Sequence, residues 1–93
     1  MAKVYLTEYA GAVGHSNSPS GVPLARQTIA IGGADAASAP FNKDTHFIRV
    51  HTDAICSIAV DAAATANTER MAAGQTEYLG VNPGSTLHVI TNT

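Results

Sequence analysis

The stretch "HFIRVHTDAICSIAVD", His46 to Asp61, holds two histidines, two aspartates and the only cysteine of the chain within sixteen residues. It can be read as a site or as a fold. A metal ion or a nucleophile would need these side chains to converge, whereas a strand sends successive side chains to opposite faces. His46 then lies with Ile48 and Val50, and His51 with Phe47 and Arg49. Cys56 shares parity with Ile58 and Val60, the apolar set of the following strand, and is expected inside. Thr52-Asp53-Ala54 reads as the turn of a hairpin joining two antiparallel strands, Thr45 to Thr52 and Ile55 to Asp61. The stretch is therefore read as two strands and a turn, and it sets an all-β reading for the rest.

Outward from it, further segments alternate or are β-branched and are bounded by turn residues. They are Lys3 to Tyr9, Gln27 to Ile31, Glu77 to Val81 and Thr86 to Thr91. "NPGS", Asn82 to Ser85, reads as a tight turn and a second hairpin connection, because proline presets φ and glycine accepts the positive φ of a type II turn. Gly11 to Pro23, rich in glycine, serine and proline, reads as an exposed loop or contact arm. Gly32 to Pro40 reads as a small-residue connector. Asp61 to Met71 reads as a loop with at most one helical turn, its alanines permitting helix but only Met71 being large and apolar. The expectation is one domain over 1–93: a small antiparallel β-sandwich or jelly-roll-like barrel of about six strands with long loops.

Composition narrows the function. At 93 residues the core is thin, and with 45% hydrophobic but 5% aromatic residues it is built of small aliphatic side chains. Charged residues are 13% and the formal net charge is -2. Lys3, Arg26, Lys43, Arg49 and Arg70 are scattered along the sequence, so a phosphate backbone is not an expected partner. No apolar run has the ~20 residues of a membrane span, and "MAKVYLTEY" alternates instead of forming a signal-peptide core. No membrane partner is expected, and synthesis is expected in the cytoplasm.

No zinc-type spacing of cysteine and histidine occurs, nor a P-loop, G-x-G-x-x-G or G-x-S-x-G. His15 reads as a solvated loop residue and His88 as a strand residue on a half-exposed face. Glu77 and Asp61 have nothing in the sequence to pair them as acid and base. The expectation is no enzyme, no cofactor, no metal and no catalytic residue.

The run "FIRVHTDAICSIAVD" followed by "MAAGQTEYLGVNPGSTLHVI", with "KVYLTEYAG" at the start, resembles small virion structural proteins of tailed bacteriophages. The matching elements are an F-I-R-V strand ending in T-D, a C-S-I-A-V strand, an M-A-A-G-x-x-E-Y connector and a closing V-I strand. The alanine-rich segment 62–68 departs from the N-P-T-A type expected there. The resemblance implies a β-sandwich subunit, a homo-oligomer on the capsid surface, that binds the major capsid protein and stabilises the shell as a decoration or cement protein. A head-to-tail joining or minor tail protein is the first alternative, and a ligand-binding β-sandwich module the second. The expected contact residues are Lys3, Val4, Tyr5, Tyr9, His15 and Pro23, on the first strand and the following loop. With so few charges, attachment is expected to rest on apolar contacts and backbone hydrogen bonds and to resist salt. The first strand is one candidate to extend a neighbour's sheet edge.

Overall fold

Period-two alternation of apolar side chains gives strands a face to bury, and two such faces close on each other in this chain. The computed structural model describes residues 2–10 and 23–93. It contains eight strands: β1 Lys3–Tyr9, β2 Ala25–Ala30, β3 Ala36–Ala37, β4 Phe47–Thr52, β5 Cys56–Val60, β6 Glu69–Met71, β7 Thr76–Gly80 and β8 Leu87–Thr91. They form two four-stranded antiparallel sheets in the orders β2-β1-β4-β7 and β3-β8-β5-β6. The fold is a small all-β sandwich.

Cross-strand register fixes which residues face inward. In the first sheet the rows Ile29–Val4–Thr52, Gln27–Leu6–Val50–Glu77 and Ala25–Glu8–Ile48–Leu79 share one face. In the second, Cys56 lies opposite Met71 and Ile58 opposite Val89. Val4, Leu6, Ile29, Ile48, Val50, Cys56, Ile58, Met71, Leu87 and Val89 meet with Phe41 in a single core. Burying such aliphatic side chains stabilises by about 1.5–3 kcal/mol each, which is what holds a domain with so few aromatics.

Two strands appear where sequence patterning predicts connectors. β3 lies within Gly32 to Pro40 and β6 within Asp61 to Met71. β3 is only two residues long and is extended by Ser38, whose N–H donates to Leu87 O at 2.8 Å while its hydroxyl accepts Leu87 N–H at 2.9 Å. β6 is an edge strand of three residues that needs one inward side chain, and Met71 supplies it. The segment between β5 and β6 forms no helix: Thr68 N–H donates to Thr65 O at 3.1 Å, a turn tied further by the Thr68 hydroxyl, which accepts Thr65 N–H at 3.1 Å and donates to Thr65 O at 2.9 Å.

Neither predicted hairpin is one. β4 and β5 belong to different sheets, as do β7 and β8, so both turns carry the chain across the sandwich. The turns themselves are real. Thr52 Oγ1 both donates to Ala54 O at 2.6 Å and accepts Ala54 N–H at 3.2 Å, and Asp53 Oδ1 accepts Lys3 N–H at 2.7 Å. In the second turn Ser85 N–H donates to Asn82 O at 3.2 Å, with Gly84 at φ 81°, the type II geometry. Val60, expected inside with Cys56 and Ile58, is 36% exposed because it ends β5 at the rim.

Candidate functional site

The histidines of the opening stretch do not meet in a common site. His51 stands on the outer face of the first sheet, its Nδ1 2.7 Å from Thr76 Oγ1 and its ring 6.4 Å from that of Tyr5. His46 precedes β4 and is exposed, beyond the end of the inward row that its parity shares with Ile48 and Val50. Cys56 is fully buried with its Sγ 3.6 Å from Thr52 Oγ1, and burial pushes its thiol pKa up. An activated thiolate needs the reverse environment. Among the described residues no three His, Cys, Asp or Glu side chains are grouped as metal ligands.

One polar cluster does join separate segments. His88, on the outer face of the second sheet, places Nδ1 2.8 Å from Asp35 Oδ2 and Nε2 3.2 Å from Thr86 Oγ1. A carboxylate, an imidazole and a hydroxyl in that order are the parts of a nucleophilic triad. The surrounding donors are committed elsewhere: Ser85 Oγ–H and Thr86 N–H donate to Asp61 at 2.7 and 3.0 Å. A triad needs such donors free for a developing oxyanion, and here a carboxylate occupies their place. Asp35 Oδ1 also accepts Ala64 N–H at 2.8 Å. The cluster thus acts as a clamp. Asp35 ties the 61–68 loop to β8, and Asp61 ties the end of β5 to the turn before β8. His88's hydrogen bond to Asp35, and Ser85's to Asp61, hold both carboxyls below the usual aspartate range.

A second polar centre, this one buried, has no motif in the sequence to mark it. Glu8, 1% exposed, accepts Asn42 N–H at 2.8 Å, Thr45 Oγ–H at 2.9 Å and Gln27 Nε2–H at 3.0 Å. It fastens the segment entering β4 to β1 and β2. The available signal was its parity, inward with Val4 and Leu6. With every oxygen committed to structure, Glu8 is a bracket.

The outer face of the first sheet gathers most of the aromatic residues and three of the cations. Its rows are Thr28–Tyr5–His51–Thr76, Arg26–Thr7–Arg49–Tyr78 and Tyr9–Phe47–Gly80, with Lys3 beside Ala30 at one end. Four of the five aromatic residues of the chain stand there; the fifth, Phe41, is in the core. Tyr5 and Tyr78 are 42% and 41% exposed, while Phe47 is buried outside the main core, stacked on Tyr78 at 6.0 Å between ring centroids. Between β1 and β2 lies a cavity of about 260 Å³ lined by Tyr5, Leu6, Thr7, Arg26, Gln27 and Thr28.

Of the residues expected to make contacts, Lys3, Tyr5 and Tyr9 share this face. Val4 points the other way and is fully buried, so its side chain is not available to a partner. Pro23 is half-buried before β2, and His15, with most of the Gly11 to Pro23 loop, lies outside the described residues. β1 is hydrogen-bonded on both sides, to β2 and β4, so it has no free edge with which to extend a neighbour's sheet. No family model matches the chain, and no curated protein or solved structure is significantly similar to it.

Proposed function

We propose that this chain is a structural virion subunit that binds the major capsid protein and stabilises the phage capsid shell as a decoration or cement protein, acting as a homo-oligomer. The resemblance of its strands and connectors to small tailed-phage virion proteins motivates the reading. The observation that carries it is the outer face of the first sheet. Tyrosine and arginine are the residues most enriched at the energetic centres of protein interfaces, and here Tyr5, Tyr78, Arg26 and Arg49 lie on one continuous surface backed by a rigid ladder. No chemistry is required of such a subunit. A protein that binds the assembled shell and not its parts stabilises the shell by mass action, and equivalent sites multiply the gain. The test is to strip or delete the protein from virions and measure the temperature of DNA release. Release at a lower temperature supports cementing, and unchanged release rejects it. Copy number in electron cryomicroscopy separates a shell protein, at hundreds per particle, from a head-to-tail joining or minor tail protein at a single vertex, roughly a dozen or fewer by symmetry.

A ligand-binding module is favoured by one observation, the gathering of four aromatic residues on one face. Only Tyr5 and Tyr78 are strongly exposed there, and they stand two strands and one row apart, roughly 12 Å. Titration with neutral oligosaccharides, followed by tyrosine fluorescence, separates this reading from the first.

A further inference from the structure

Three of the five basic residues, scattered at positions 3, 26 and 49, come together when β2, β1 and β4 pair side by side. Arg26 and Arg49 flank Thr7 in a single row, roughly 10 Å apart at the backbone, and Lys3 lies on the same face two rows along. The alternation of the strands turns Glu8 and Glu77 inward, so no carboxylate stands in the outward rows of this sheet. Among the described residues the only ion pair is that of His88 with Asp35, on the other sheet. Cations set side by side without a counter-charge repel, which weakens the isolated sheet slightly. This arrangement in a chain of net charge -2 is what electrostatic complementarity to an acidic partner requires.

We propose that the outer face of the first sheet docks an acidic segment of a protein partner, with a glutamate or aspartate side chain entering the cavity beside Tyr5 so that its carboxylate meets Arg26. Arg49 and Lys3 supply further charge contacts. Tyr5, Arg26 and Thr28, all exposed, border the cavity, so an aromatic ring, a guanidinium and a hydroxyl stand at its rim. An arginine fork binds a carboxylate through two parallel N–H···O bonds, which fixes orientation as well as attraction. The identity of the partner rests on the cementing role, which makes it the shell protein.

Single-stranded nucleic acid is the rival anion, and the face suits it less. Such strands are held by successive bases stacked on aromatic rings along a cationic groove. Here Phe47 is covered by Tyr78, and the two exposed tyrosines are too far apart for adjacent stacked bases. Three cations would neutralise only about three phosphates, a weak anchor at physiological salt. This geometry also reverses the salt-resistant attachment expected from overall composition, because the few cations present are concentrated at the contact.

The test is to titrate the isotopically labelled full chain with a hepta-glutamate peptide at 50 and 500 mM salt and follow backbone amide shifts. The expected result is shifts confined to β1, β2, β4 and β7, weakened about tenfold or more by salt and abolished in the double variant R26E/R49E. Milder R26Q/R49Q guards against misfolding of the reversal and should lose most of the response with an unchanged thermal midpoint. Shifts on the second sheet, no shifts, or a stronger response of this face to oligo-dT or to a second copy of the chain would overturn the proposal. A parallel arm binds wild-type protein and R26Q/R49Q to stripped shells. Equal binding of both rejects the acidic docking face while leaving cementing intact. A glutamate response without any effect of the protein on DNA release rejects cementing while leaving the docking chemistry.

Discussion

Glu8 and Thr45, 37 residues apart in the sequence, are joined by a buried hydrogen bond of 2.9 Å that holds the entrance to β4 against β1. The same carboxylate receives two more donors, so truncation strands three polar groups at once. Glu8→Ala is expected to cost about 2–4 kcal/mol, because a buried donor left without its partner loses its full desolvation energy. Glu8→Gln, which keeps one carbonyl oxygen, should cost less. Urea unfolding midpoints at neutral pH check both, and an alanine variant within 0.5 kcal/mol of the parent would remove Glu8 from its bracing role.

Cys56 should be inert. Its side chain is fully buried and burial raises its pKa, so the thiolate is scarce as well as inaccessible. Labelling by an aromatic disulfide reagent is expected to be slow in the native state and rapid in denaturant. Cys56→Ala is expected to lose about 1–2 kcal/mol through the cavity left beside Met71. Stoichiometric labelling of the native protein within seconds would contradict the interior placement.

Acid should loosen the clamp on β8. Asp35 is held below the usual range first by the His88 hydrogen bond and then by Ala64 N–H; Asp61 is held there by Ser85 and then by Thr86 N–H. A carboxyl whose folded pKa is depressed contributes stability above its unfolded pKa, about 3.9, and loses it as pH falls through the folded value. Stability is therefore expected to decline as pH falls below about 5, with the steepest loss under pH 4. Asp35→Asn and Asp61→Asn should each flatten that decline. Parallel acid profiles for parent and both variants, measured by urea midpoint from pH 6 to 2, would show that neither group is linked to folding.

Two glycines offer a contrast between backbone and space. A Cβ at Gly84 or at Gly80 meets nothing within 4 Å, but Gly84 has φ 81° and Gly80 does not lie in the left-handed region. Gly84→Ala is expected to cost about 1–2 kcal/mol from backbone strain alone. Gly80→Ala, in a strand, should be neutral or slightly stabilising. Thermal midpoints of the two variants test this, and equal midpoints would mean that the turn relaxes without cost.

Alternation carried most of what sequence could reveal. It separated His46 from His51, buried Cys56 and Ile58, and marked six of the strands with bounds shifted by a residue or two. What it lacked was partnership. Turn chemistry at Thr52-Asp53-Ala54 and Asn82 to Ser85 announces a reversal, yet says nothing of whether the next strand joins the same sheet or the facing one. β3 and β6 are too short to show a period, and their pairing comes from Ser38 and Met71 meeting neighbours distant in sequence. The candidate site was legible only along its first strand, where Lys3, Tyr5 and Tyr9 were expected to make contacts; Arg26 and Arg49 join them only when the order β2-β1-β4 makes them adjacent.

The order of strands has a mechanical consequence. The first strand, β1, and the last, β8, are each interior to a sheet, hydrogen-bonded on both sides. Ala2 O, at the head of β1, accepts Ile31 N–H at 3.1 Å, and Thr91 N–H, at the end of β8, donates to Gly32 O at 2.9 Å, so both strands meet the flanking chain at one end of the sandwich. Tension drawing these two points apart acts across the strands and opens each ladder bond by bond from that end, instead of shearing a whole row at once. Forced unfolding follows the height of the rupture barrier and not equilibrium stability. A pull at these points therefore meets a series of small barriers, even though neither strand is an edge.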